Sequence, residues 1–195
     1  MAMSTILTNS LQSLTLQEFL NLPEGDITYE LQDGQAIPKM SPKRIHSCLQ
    51  RTFLIMLSAW GNNDDSLLVG DAYPEWAIAL QRRGVDWCPV PDVTYISDAK
   101  LSDLDLSNGP CPVPPELVVE ILSPGQSFEE MTQKALDYLA AEIKRVWLVS
   151  DQERSLTVFA PNTPPMTYRG NQVIEDDLFP QLRFTMDEIF NKAKI

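Results

Sequence analysis

Histidine is almost missing from this 195-residue sequence; His46 is the only one. Cysteine is scarce as well, with Cys48, Cys88 and Cys111 in no C-x-x-C spacing. Without paired histidines these residues make no zinc-ligand pattern, and an odd count argues against a disulfide framework. Three reduced thiols in a cytoplasmic protein is the matching expectation. No run of about 18 apolar residues occurs, so no membrane-spanning helix is expected. Residues 1–9 lack a basic stretch followed by an apolar core, so no signal peptide is expected either. Positive charge is short: 15 Lys and Arg stand against 27 Asp and Glu, a net charge of -12. That excess weakens any reading built on phosphate contacts without removing it, because local patches rather than totals decide binding.

What is present fits an ordinary globular chain. Hydrophobic residues make up 44% and charged residues 22%, far from a disordered composition. The length suits one domain with a real core, and residues 1–13 read as a loose tail. There are no internal repeats, low-complexity tracts or linkers.

The chemistry gathers between residues 91 and 134. Pro91 and Asp92 head a run of strand formers, Val93-Thr94-Tyr95-Ile96, and a proline suits the entry to a strand. Glu120 interrupts the otherwise apolar run from residue 117 to residue 122, which reads as a strand with both faces covered. A carboxylate there is costly unless it is paired, hydrogen-bonded or bound to a cation. The plainer reading is an acid at an exposed strand end or in an ion pair. Ser127 and Glu130 then form a capping box, and Phe128, Met131, Ala135, Tyr138 and Leu139 recur at helical spacing. Lys134 lies beside that stripe, free either to lean over the strand end or to point into water.

Elsewhere, Thr15 and Glu18 open a short helix by the same capping pattern. Tyr29-Glu30-Leu31 leads through Asp33-Gly34, a hairpin turn signal, into an edge strand ending at Pro38. Ser41-Pro42 reads as the N-cap and first position of a long core helix over residues 41–60. His46 lies near its start, where a lone histidine is ordinarily structural. Residues 67–69 and 76–80 read as strands. Lys39, Lys43, Arg44, Arg82 and Arg83 are the best available phosphate-binding residues, although paired arginines in a turn are ordinarily just solvated. Residues 97–115 read as a broken polar loop. In it Asp103-x-Asp105 only faintly resembles calcium chemistry, since the EF-hand pattern is not met. Two buried strands follow at residues 145–149 and 155–159, then a rigid loop at 161–165. Thr185 caps a last helix. The strand-helix-strand order around Lys134 puts helices on a mixed sheet and asks for a right-handed crossover.

Taken in order, Glu30-Leu31-Gln32-Asp33-Gly34, His46, Pro91-Asp92-Val93, Val118-Val119-Glu120-Ile121-Leu122-Ser123-Pro124, Lys134 followed four residues on by Tyr138, and Trp147-Leu148-Val149 resemble the Uma2 family, formerly DUF820. The resemblance runs from about residue 14 to residue 190. It implies an α/β fold with a restriction-endonuclease-like core of the PD-(D/E)XK kind, a mixed β-sheet flanked by helices. It implies an endonuclease in which Asp92 and Glu120 hold Mg²⁺ (or Mn²⁺) and DNA is the substrate. The lysine expected two residues after the second acid is replaced by Leu122, and Lys134 matches the position that relatives use instead. Glu30 corresponds less closely to a further acid of the wider fold, and His46 to a residue that orients the substrate or the acids rather than binding metal. Where relatives read Trp-Leu-x-Asp, this chain has Ser150, with Asp151 one place later. Nucleases of this fold commonly pair two sites, so a homodimer is compatible with the resemblance. The acidity and the missing lysine permit a second reading, a nuclease-fold module that binds or scaffolds without cutting.

Overall fold

The computed structural model describes residues 13–23, 25–62, 68–102, 104, 109–123 and 125–195. Its centre is a six-stranded mixed sheet built from β3 (Gly70–Pro74), β6 (Val93–Ser97), β7 (Leu117–Ile121), β8 (Arg145–Ser150), β9 (Ser155–Ala160) and β10 (Thr163–Arg169). The strand order is β10-β9-β8-β7-β6-β3. Only β7 and β8 run parallel, and the helix between them, α4 (Phe128–Ala140), makes the crossover that parallel neighbours need.

Alternation along the central strands decides what each face meets. Leu117, Val119 and Ile121 of β7, with Trp147 and Val149 of β8, pack against Leu49, Phe53 and Leu57 of α2 (Arg44–Gly61) and Ile189 and Phe190 of α5 (Met186–Ala193). Val118, Val146 and Leu148 point the other way, onto Met131, Ala135 and Tyr138 of α4. Both faces are covered, which accounts for the continuous apolar runs. Glu120 shares the face of Val118, so it is turned toward α4.

Two hairpins stand off this sheet. β1 (Tyr29–Gln32) and β2 (Gln35–Pro38) are joined by Asp33-Gly34, both at positive φ, as a type I′ turn requires. β4 (Leu80–Arg82) and β5 (Val85–Trp87) are joined by Arg83-Gly84 in the same way. Paired hydrogen bonds between Leu31 and Cys88 attach the first hairpin to the segment after the second. The capping boxes at Thr15, Ser127 and Thr185 are all formed, Thr15 opening α1 (Leu16–Leu20). Among the described residues no helix is long and apolar enough to cross a membrane.

Several local expectations are corrected. α2 begins at Arg44, with Lys43 at its cap and no side-chain capping bond, so Ser41-Pro42 lies outside it. Residues 76–79 form no strand beyond an isolated bridge at Ile78, and β3 starts at Gly70, so Leu68 and Val69 precede it; Leu67 lies outside the described residues. Residues 98–101 of the supposed loop form the short helix α3 (Asp98–Leu101); Asp103 and Asp105 lie outside the described residues. Pro164 and Pro165 belong to β10 rather than to a loop. β10 is an edge strand with a register shift at that point, the setting in which prolines are tolerated. Phe128, expected in the apolar stripe of α4, is 49% exposed.

Candidate functional site

A cleft of about 430 Å³ opens where the first hairpin, the start of β6, the end of β7 and α4 meet. Glu30, Lys39, His46, Arg82, Asp92, Glu120 and Lys134 all line it. The two acids of the central strands are neighbours because β6 and β7 pair with Val93 opposite Val119. Asp92 precedes β6 and accepts a 2.7 Å hydrogen bond from the Ile121 N–H across the gap. Residues 29 positions apart in sequence are thereby clamped at one end of the sheet.

Asp92 is buried and fully engaged. Its Oδ2 also takes the His46 Nε2 at 3.0 Å, which fixes the proton on that ring nitrogen. Its Oδ1 lies 3.0 Å from the Lys39 ammonium. Burial alone pushes this carboxyl up, but the His46 hydrogen bond, the Lys39 charge and the Ile121 N–H outweigh it and hold Asp92 below the usual carboxylate range. His46 Nδ1 is buried without a hydrogen-bond partner in the structure.

Glu120 faces the opposite situation. Burial pushes its carboxyl up; Lys134 opposes this, while the charges of Asp92 and Glu30 add to it. Its Oε1 accepts 2.7 Å from the Tyr138 hydroxyl and lies 3.0 Å from Lys134 Nζ. Lys134 and Tyr138 stand one turn apart on α4, so both reach the same oxygen. The Lys134 ammonium also lies 3.2 and 3.4 Å from the two Glu30 oxygens. Burial lowers the Lys134 pKa, but Glu120 and Glu30 overcome it and raise the group above the ordinary lysine value. Glu30 is held in turn by the Val90 N–H, 2.8 Å from its Oε1.

All five residues singled out in the sequence therefore border one cleft: Glu30, His46, Asp92, Glu120 and Lys134. Two residues that hold these acids were not singled out as part of the acid cluster, Lys39 lining the cleft and Tyr138 buried behind it. Lys39, read as a phosphate contact, is bonded instead to Asp92 and to the Val90 carbonyl. Tyr138, read as a core residue, also holds Glu120. Arg82 is likewise committed, between Asp33 and Asp137. Arg83 also reaches Asp137 but is 68% exposed, and of these basic residues only it, Lys43 and Arg44 are exposed.

Among the described residues no group of three or more His, Cys, Asp or Glu side chains is arranged to hold a metal ion. The donor set nonetheless fits a hard divalent cation of the Mg²⁺ kind. Such ions bind through one or two carboxylates and keep several waters. Asp92 and Glu120 supply carboxylates close enough for the charge of one to raise the pKa of the other.

No curated protein matches the chain. Among solved structures it resembles a protein from Anabaena variabilis titled a "putative nuclease belonging to DUF820". The TM-score is 0.79 at 22% identity, over 92% of this chain and 99% of that one. At that identity the likeness establishes the shared fold. The sequence also matches, over residues 16–187, the family described as "Putative restriction endonuclease". Nearly the whole chain lies within that match, and the chain belongs to the Uma2 family.

Proposed function

We propose that this protein is a metal-dependent endonuclease that hydrolyses phosphodiester bonds in DNA. The observation that carries the reading is the convergence of Glu30, Asp92, Glu120 and Lys134 on one cleft, in a chain whose family is described as "Putative restriction endonuclease". Asp92 and Glu120 are the residues that would hold Mg²⁺ (or Mn²⁺). Such an ion, when bound, polarises the scissile phosphate and lowers the pKa of a coordinated water.

The chain's own contribution is positioning and charge. His46 and the Ile121 N–H fix the Asp92 carboxylate in one orientation, and Tyr138 does the same for Glu120. Lys134 is kept protonated by its two acidic neighbours, so it acts by stabilising negative charge rather than by accepting a proton. Of the five basic residues weighed in the sequence, the exposed Lys43, Arg44 and Arg83 remain to meet the DNA backbone.

Incubating supercoiled plasmid with Mg²⁺ or Mn²⁺ tests this. Native protein should nick it, and Asp92→Asn, Glu120→Gln and Lys134→Met should each lose about 100-fold or more of that activity. Nicking that survives in the Asp92 and Glu120 variants, or no nicking by the native protein, overturns the reading. In the second case the binding or scaffold module is favoured. Support for that alternative comes from the ammonium groups that already neutralise both carboxylates and from the net charge of -12.

A further inference from the structure

Lys39 has no role in the chemistry described so far, yet its ammonium lies on the oxygen that a metal needs. A carboxylate offers about two lone-pair positions on each oxygen. On Asp92, Oδ2 spends both, one on the Ile121 N–H at 2.7 Å and one on His46 Nε2 at 3.0 Å. A cation arriving from the cleft is left with Oδ1, and Lys39 Nζ is 3.0 Å from it. Lys39 fills one of the two positions on that oxygen, and a metal in the other would sit beside a nearly buried ammonium; two such cations repel strongly, so ammonium and metal compete for Oδ1.

A second acid is within reach. Glu75 Oε1 lies 3.9 Å from the same ammonium, and its side chain is 37% exposed where that of Asp92 is 3% exposed. Gln50 ties the two acids together, its Nε2 donating to the Asp92 carbonyl at 2.9 Å and to Glu75 Oε1 at 3.4 Å. Glu75 has φ +49°, a left-handed conformation uncommon for a residue with a Cβ. The chain leaves β3 at this point, and the Glu75 carboxylate lies between Lys39 and Gln50.

We propose that Lys39 is a movable counter-ion: it neutralises Asp92 while the cleft holds no metal and passes to Glu75 when a divalent cation binds. The inference rests on the metal-dependent reading above, but its signature is in binding rather than in cleavage. Lys39 competes with the metal, and Glu75 favours the metal by receiving Lys39.

The experiment is titration of the full chain with Mn²⁺ alone, followed by electron paramagnetic resonance or calorimetry, without nucleic acid. Lys39→Met should tighten Mn²⁺ binding about tenfold, and Lys39→Gln should also tighten it, serving if the methionine variant fails to fold. Glu75→Gln should weaken binding about fivefold in the native background but less than about twofold in the Lys39→Met background. A purely electrostatic effect of Glu75 on the metal would cost the same in both backgrounds, and that result overturns the proposal. Weaker or unchanged binding in both Lys39 variants overturns it too. If the affinities follow the expected pattern while plasmid stays intact, the exchange stands and the endonuclease reading falls. Absence of Mn²⁺ binding in native and Lys39-substituted protein alike overturns both.

Discussion

The Tyr138 hydroxyl donates a 2.7 Å hydrogen bond to Glu120 Oε1, the same oxygen that lies 3.0 Å from Lys134. Burial, then the Glu120 charge, raises the Tyr138 pKa well above the ordinary tyrosine value, so the hydroxyl stays a donor at any working pH. The ring also packs at a tilt against Trp87, with centroids 4.7 Å apart. Tyr138→Phe keeps that packing and removes only the hydroxyl. Because Lys134 still contacts Glu120, the expected loss of stability is near the low end for a bond to a charged group, about 1.5 kcal/mol. Urea unfolding with an unchanged m-value checks it; a loss under about 0.5 kcal/mol would mean that the hydroxyl does not hold Glu120.

The capping box at the start of α4 gives a pH prediction with a definite sign. Glu130 accepts from the Ser127 N–H at 3.0 Å and from its hydroxyl at 2.9 Å, and these bonds lower its pKa from the usual 4.5. A lowered acid contributes stability that is fully present above its unfolded pKa and is lost as pH falls through the folded value. Native protein should therefore be more stable than Glu130→Gln near neutrality, and the difference should shrink below about pH 4.5. Parallel thermal melts from pH 7 to pH 3 measure it. A difference that grows on acidification would contradict the assignment.

Legibility followed the range of the interactions. The three capping boxes are written within four consecutive residues each; those at Thr15 and Ser127 could be read as boxes directly, and Thr185 as a cap. Glu120 stood out because one charge broke an apolar strand. Lys39 did not, because nothing near it in sequence marks it; its partner Asp92 is 53 positions away and is reached only once the β1–β2 hairpin folds over the strand end. Tyr138 stood out only as part of the family pattern; its role was masked by periodicity, since a tyrosine in an apolar stripe reads as packing until the acid facing it from β7 is known. Pro164 and Pro165 were misread because a proline breaks a strand only where its missing N–H is needed, and edge position is a property of the whole sheet.

The three thiols should separate by reactivity. Burial, helped by the Glu30 charge, pushes Cys88 up to about 12, and burial also raises Cys111, whose thiol donates to the Val113 carbonyl. Both are fully buried, whereas Cys48 is only partly so. At pH 8 a thiol with that pKa is ionised to about one part in ten thousand. Iodoacetamide should therefore label Cys48 first in the native protein and all three in urea, as read by peptide mass spectrometry. Early labelling of Cys88 would mean that the contact between the first hairpin and the segment after β5 opens readily.

Arg82 separates structural cations from those available to DNA. Its guanidinium joins Asp33 in the β1–β2 turn to Asp137 on α4 and lies 5.7 Å from the centre of the Trp87 ring. With the Arg82 and Asp137 side chains only 12% and 8% exposed, truncating Arg82 leaves a nearly buried carboxylate to Arg83 and Gln133 alone. Complete loss of partners for a buried ion costs about 3–5 kcal/mol, and the two that remain bring the expected cost of Arg82→Met to about 2 kcal/mol. Arg83 is 68% exposed, and Arg83→Ala should cost less than about 1 kcal/mol. If the endonuclease reading holds, Arg83→Ala should weaken DNA binding and reduce its salt dependence. Arg82→Met should act mainly on stability, because its charge is already committed to two carboxylates. Thermal melts and salt-dependent DNA binding on the two variants decide it. The reverse pattern, with DNA affinity lost in Arg82→Met at native stability, would return Arg82 to the phosphate-binding surface.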